Sequence, residues 1–198
     1  MNKIKAEENI QMIREIMERS ARYTSFSGLS GILAGVFALI GCAATVKVYL
    51  NVPTAEQDKW YYIIWVSVLV LAIAQDLLLA QRKARRNGQT IFVPATFQAI
   101  RALLPGVFVA IVLSIRALTL RELDAIPAIW TLGYGAALCA AGRFTVKELR
   151  IFGVVQLITG AFGLFLMSYP PYSLYLLAIS FGLYHILYGL WMTRKYGW

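Results

Sequence analysis

An almost uncharged run in the second quarter of the chain sets the terms for everything else. Trp60–Tyr61–Tyr62 opens it, apolar residues carry it to Ala80, and Gln81–Arg82–Lys83–Ala84–Arg85–Arg86 closes it. A helix rises about 1.5 Å per residue, so roughly 20 apolar residues cross a hydrocarbon core about 30 Å thick. Aromatic rings suit one membrane interface and a basic cluster suits the cytoplasmic one. The run therefore reads as a transmembrane helix directed from outside to inside, with one acidic residue, Asp76, within it.

The rest of the chain repeats the pattern. Hydrophobic residues make up 59% and charged residues 15% of the 198, far from the roughly 25% charged residues of a soluble domain. The net charge of +9 does not point to nucleic acid, because the basic residues cluster between apolar spans. The predicted fold is all-α and polytopic. Six transmembrane helices lie at about 25–50, 60–80, 94–115, 125–141, 151–168 and 173–192, within a membrane domain of residues 23–198. Residues 1–22 form a separate amphipathic helix, with Ile10, Ile13, Ile16 and Met17 at helical spacing among mixed charges. No early apolar segment of a cleaved signal peptide precedes it.

The basic residues orient the bundle. With both termini in the cytoplasm, the inner segments hold Lys3, Lys5, Arg14, Arg19, Arg22, Arg82, Lys83, Arg85, Arg86, Arg143, Lys147, Arg150, Arg194 and Lys195, and the outer segments only Lys47, Lys59, Arg116 and Arg121. That asymmetry places the protein in a bacterial inner membrane with lipid as its surroundings. Gly142–Arg150 is then an inner loop and Arg116–Asp124 an outer one. Pro105 interrupts the third span, where a proline removes a backbone hydrogen bond.

Small residues set the packing. Ser27, Gly31 and Gly35 in span one, Gly133 in span four, and Gly160 and Gly163 in span five let helix backbones approach closely in lipid. Such faces serve a homo-oligomer or packing within one chain.

Polar residues inside spans are costly and usually face the bundle interior or a watery cavity. Gln75 and Asp76, Gln98 and Arg101, and Gln156 fall in the inner thirds of spans two, three and five. His185, flanked by Tyr184 and Tyr188, lies near the middle of span six. Their similar depth predicts one polar region open toward the cytoplasm. Asp76 and Arg101 either pair across helices there, or Asp76 ends its span while Arg101 extends to the phosphate level. His185 is either a proton relay or ligand contact or a histidine satisfied by a helix neighbour.

Several chemistries lack their residues. A single histidine cannot supply bis-histidine haem and argues against zinc. Cys42 and Cys139 fall inside spans without metal spacing. Gly28–Leu29–Ser30–Gly31 matches the GxSG of rhomboid proteases, but those place it in a middle span, and Ser30 lies shallower than His185. No P-loop and no paired intramembrane carboxylates occur. No metal or cofactor is expected.

Ile13–Arg14–Glu15–Ile16–Met17–Glu18–Arg19–Ser20, the glycine-rich first span and Phe181–Gly182–Leu183–Tyr184–His185–Ile186–Leu187–Tyr188–Gly189 resemble segments of small, uncharacterised bacterial inner-membrane proteins, some encoded beside winged-helix regulators. The resemblance implies a membrane fold and carries no catalytic residue.

The leading expectation is a non-enzymatic protein that binds, senses or passes a small solute, ion or lipid through a cytoplasm-facing pocket. A scaffold that docks a cytoplasmic protein through residues 1–22 is the alternative. A lipid-modifying enzyme using Arg101 and the basic loops comes third. The charge asymmetry makes a direct prediction. In a cysteine-free background, Arg85→Cys should react with an impermeant thiol reagent only from the cytoplasmic face, and Glu122→Cys only from the opposite face.

Overall fold

The computed structural model describes residues 28–86, 93–166 and 172–197. The amphipathic segment 1–22, with its proposed docking role, lies outside the described residues. Those residues form α1 (Gly28–Asn51), α2 (Thr54–Arg86), α3 (Pro94–Leu120), a 3₁₀ turn (Leu123–Ala125), α4 (Ile126–Ala141), α5 (Lys147–Leu166) and α6 (Tyr172–Tyr196), the last with a π-helical stretch at Ala178–Leu183. Among the described residues there is no strand. Hydrocarbon offers the backbone no hydrogen-bond partner, so each spanning segment must satisfy its own amides as a helix. Six helices are long and apolar enough to cross a bilayer, and the protein is an all-α polytopic membrane protein.

The helices outrun the apolar stretches that announce them. α2 has 33 residues and is about 50 Å long, because hydrophobicity marks the bilayer whereas backbone hydrogen bonding continues past it. α5 begins at Lys147, so Lys147–Arg150 is its first turn and not part of an inner loop. The predicted outer loop shortens likewise, because α3 continues through Pro105 to Leu120. It ends where Arg121 takes a left-handed conformation (φ 61°). There Glu122 N–H donates to Ala117 O at 2.9 Å and Arg121 N–H to Leu118 O at 3.1 Å, a capping pattern that satisfies the last carbonyls. Between α1 and α2, Pro53 prevents continuation of the helix, and Gln57 Nε2 donates to Val52 O at 2.8 Å across the corner.

Two sets of helices make up the body. α1 packs on α2 and α6, while α4 packs on α3 and α5 and meets the start of α6. The longest helices, α2 and α3, have extensive contacts only along α1 and along α4 with its 3₁₀ turn, respectively, and present most of their apolar side chains outward. Both seams run on glycine. A Cβ on Gly35 would stand 2.6 Å from Gly182 O, and one on Gly31 would stand 3.1 Å from Gly189 Cα. On the other side, Gly133 would meet Ala110 Cβ at 2.6 Å, and Gly160 would meet Leu132 N at 2.6 Å. Gly163 faces the Leu176 side chain. The faces that suggested an oligomer are thus occupied within the chain.

Below these seams, Ala99, Leu138, Ala141, Val146, Leu149, Phe152 and Met192 form an apolar core. It lies toward the end that carries Arg82–Arg86, Lys147 and Lys195, called here the basic end.

Backbone atoms block the space at Gly35, whereas at Gly41 the obstacle is the Val68 side chain at 2.9 Å. Gly35→Leu should therefore destabilise the protein by about 1–3 kcal/mol or more through overpacking. Gly41→Ala should cost much less, because Val68 can turn away. Thermal unfolding of the two variants in detergent checks the order.

Candidate functional site

The π-helical stretch of α6 changes which carbonyls are available. A π turn shifts hydrogen bonds from i→i+4 to i→i+5 and often marks functional positions. Here it surrounds Ser180, whose carbonyl accepts from Gln156 Nε2 of α5 at 2.9 Å and meets His185 Nδ1 at 3.0 Å. A carbonyl only accepts, so Nδ1 carries the proton. In the neutral ring Nε2 is then an acceptor, and it receives the Tyr134 hydroxyl of α4 at 3.2 Å. One chain of hydrogen bonds thereby links α4, α6 and α5.

The Ser180 hydroxyl extends the network. It donates to Leu176 O at 2.6 Å and lies 3.2 Å from Thr131 Oγ1, which itself donates to Pro127 O at 2.7 Å. Two hydroxyl protons thus serve three contacts. Aromatic rings enclose the imidazole. Tyr134 and Phe181 lie parallel to it at centroid distances of 5.5 and 5.6 Å, and Phe152 meets it edge-on at 4.9 Å. Phe152 stacks on Tyr188 at 4.5 Å.

Two polar atoms of this interior lack a partner. Gln156 is fully buried and its Oε1 accepts no hydrogen bond, and the Tyr188 hydroxyl is likewise enclosed and unpartnered. Such an atom costs about 1–3 kcal/mol when left unsatisfied.

A second polar group sits between α1 and α2. Gln75 Nε2 donates to Ser30 O at 3.0 Å, the Ser30 hydroxyl is set to donate toward the Asp76 carboxyl, and Gln75 Oε1 is buried without a partner.

Not every expected residue joins them. Gln98 and Arg101 are exposed, and no ion pair links Arg101 to Asp76 among the described residues. α3 turns Ala95 and Ala99 inward, which leaves Gln98 and Arg101 on its outer side. Arg101 thus does not pair with Asp76, and the single polar region loses its α3 members. Tyr184 is half-buried, its hydroxyl 3.4 Å from Thr159 Oγ1. The His185 imidazole binds Ser180 and Tyr134 rather than Ser30. Tyr134, Ser180, Thr131 and Phe152 join the site without a charge or motif that marks them in the sequence. The available signal was Gly133–Tyr134–Gly135, a mid-span aromatic between two residues small enough to admit neighbours.

The basic end closes with another group the sequence did not single out. Glu148, in the first turn of α5, is fully buried and pairs with Lys195 of α6, while Tyr196 Oη donates to its other oxygen at 3.0 Å. Lys83 of α2 donates to Tyr196 O at 3.5 Å and Gly197 O at 3.2 Å, capping the negative end of α6.

Among the described residues no cluster of three or more His, Cys, Asp or Glu could hold a metal. No protein-family model, curated protein or solved structure matches the chain.

Tyr134→Phe removes the donor to His185 Nε2 and leaves that nitrogen unpartnered, which should cost about 1–3 kcal/mol. Gln156→Met loses one bond but also removes an orphan acceptor at similar volume, and should be nearly neutral. Combining Tyr134→Phe with His185→Leu should cost less than the sum of the two, because both break one bond. Unfolding of the purified variants in detergent measures all three.

Proposed function

We propose that this integral membrane protein binds and passes a small solute through the polar interior between α1, α2, α4, α5 and α6, entered from the basic end. Three enclosed polar atoms without partners carry the reading: Gln75 Oε1, Gln156 Oε1 and the Tyr188 hydroxyl. In lipid, where water cannot compensate, such groups are expensive to keep. They make sense where water or a solute completes them. Asp76 and His185 belong to the same zone, and the Tyr134–His185–Ser180–Gln156 chain gives it rigid walls.

The basic end is the cytoplasmic one in this reading, supported by the lysine and arginine asymmetry. A bacterial inner membrane is the corresponding location. Among the described residues His185 bonds a tyrosine and a backbone carbonyl, an arrangement that supports binding rather than covalent chemistry.

Access tests the proposal. In a background with Cys42→Ser and Cys139→Ala, Gln75→Cys and Tyr188→Cys should react with an impermeant methanethiosulfonate added at the cytoplasmic face. Val70→Cys, on an exposed apolar face of α2, should stay unmodified. Silence at both interior positions from either face would end the reading.

A further inference from the structure

A cavity of about 560 Å³ opens between α2 and α3 at the end of the bundle opposite Arg82–Arg86. Thr54, Asp58 and Tyr62 line one side of it, and Leu118, Arg121 and Leu123 the other. Its volume falls within the roughly 300–1,000 Å³ of small-ligand sites. Each wall follows from its own segment. Asp58 and Tyr62 lie four residues apart on α2, so the carboxylate and the phenol ring share one helix face. Arg121 follows the last residue of α3, where its left-handed backbone turns the chain toward the 3₁₀ turn that supplies Leu123. An acid and a base thus stand on facing walls of one cavity. Both are exposed, and they form no ion pair with each other.

The surroundings select the occupant. The cavity lies beside Trp60–Tyr61–Tyr62, an aromatic cluster suited to the membrane interface. α2 and α3 share no extensive contact along their lengths, and they expose apolar side chains such as Val66, Val70, Val112 and Ile115. A molecule with a doubly charged head and apolar chains matches both the cavity and the helix surfaces beside it. We propose that the cavity seats the head group of an amine-bearing zwitterionic phospholipid, its phosphate on the Arg121 guanidinium and its ammonium on the Asp58 carboxylate and the Tyr62 ring. This inference is independent of the solute reading of the interior. The guanidinium fork matches phosphate oxygens. A primary ammonium supplies N–H donors to the carboxylate, and an aromatic face attracts the same cation. A phosphatidylglycerol head carries the phosphate without the cation and leaves Asp58 facing negative charge. A choline head keeps the cation but has no N–H to donate.

Native mass spectrometry of the full chain released from detergent tests the assignment. The protein is mixed with equal amounts of phosphatidylethanolamine, phosphatidylcholine and phosphatidylglycerol carrying identical acyl chains. Phosphatidylethanolamine adducts should exceed either of the others about fivefold, the effect of one partly exposed charge-assisted contact. Asp58→Asn should abolish that advantage over phosphatidylglycerol, and Arg121→Gln should lower the adducts of all three lipids. Lys59→Gln, beside the site but not lining it, should leave the preference unchanged. Each variant is first matched to the unaltered protein by gel filtration and melting temperature. Glycerophosphoethanolamine, the same head group without chains, should give no adduct at the same concentration. Equal adducts from the three lipids, or a preference that survives Asp58→Asn, overturns the site. Glycerophosphoethanolamine bound as strongly as the lipid overturns the lipid and leaves a soluble zwitterion in its place. Thiol labelling of Gln75→Cys and Tyr188→Cys reports on the interior separately, so either reading can fail without the other.

Discussion

The Ser180 carbonyl is the point at which this bundle is tied together. A regular helix would direct that oxygen to the amide four residues on. The π stretch over Ala178–Leu183 alters that pattern, and side chains from two directions reach the oxygen. Gln156 approaches from α5, and His185 folds back from the next turn of α6 and passes the connection to Tyr134 on α4. In water these bonds would exchange with solvent and contribute little. Within a bilayer the groups have no such alternative, so the network fixes the relative placement of three helices that share mainly apolar surface.

Close backbone contact supplies the rest of the cohesion. Lipid tails are as apolar as the helices, so burial of oily surface does not drive helix association. Gly31 and Gly35 bring α1 against α6, and Gly133 brings α4 against α3, giving dispersion contacts that lipid chains would fill less densely. α2 and α3 lack a second seam of this kind and stand at the margins. α2 nevertheless carries Asp76, and it is fixed twice. Gln75 bonds α1 near the polar interior, and Lys83 bonds the last carbonyls of α6 at the basic end. Those two attachments hold a carboxylate over an interior whose own charges, Glu148 and Lys195, are already paired.

Direction around a span is only partly legible in the sequence. Asp76, Gln156 and His185 were placed by their distance from the loops, and the structure turns all three toward the interior. Gln98 and Arg101 share that depth yet face outward, because Ala95 and Ala99 take the inner side of α3. Small residues reveal the packed face of a membrane helix better than polar ones do, and following the alanines of α3 would have set Arg101 aside. Glu148 escaped for another reason. It lies beside Lys147 and Arg150 in a stretch that reads as a loop, and only the extra helical turn of α5 brings its carboxylate beneath Lys195.

The sequence by itself determined that the chain is helical, that it crosses the bilayer, how many crossings it makes and where its positive charge gathers. These follow from segment length, hydropathy and the position of lysine and arginine, which are local properties of the chain. Tertiary structure alone decided which glycine faces which backbone, that the Ser180 carbonyl receives side chains of α5 and α6, and that Arg101 lies on the exposed side of α3. Those outcomes depend on helix rotation and on a π turn. Both are settled by contacts between residues far apart in the chain, which no single segment encodes.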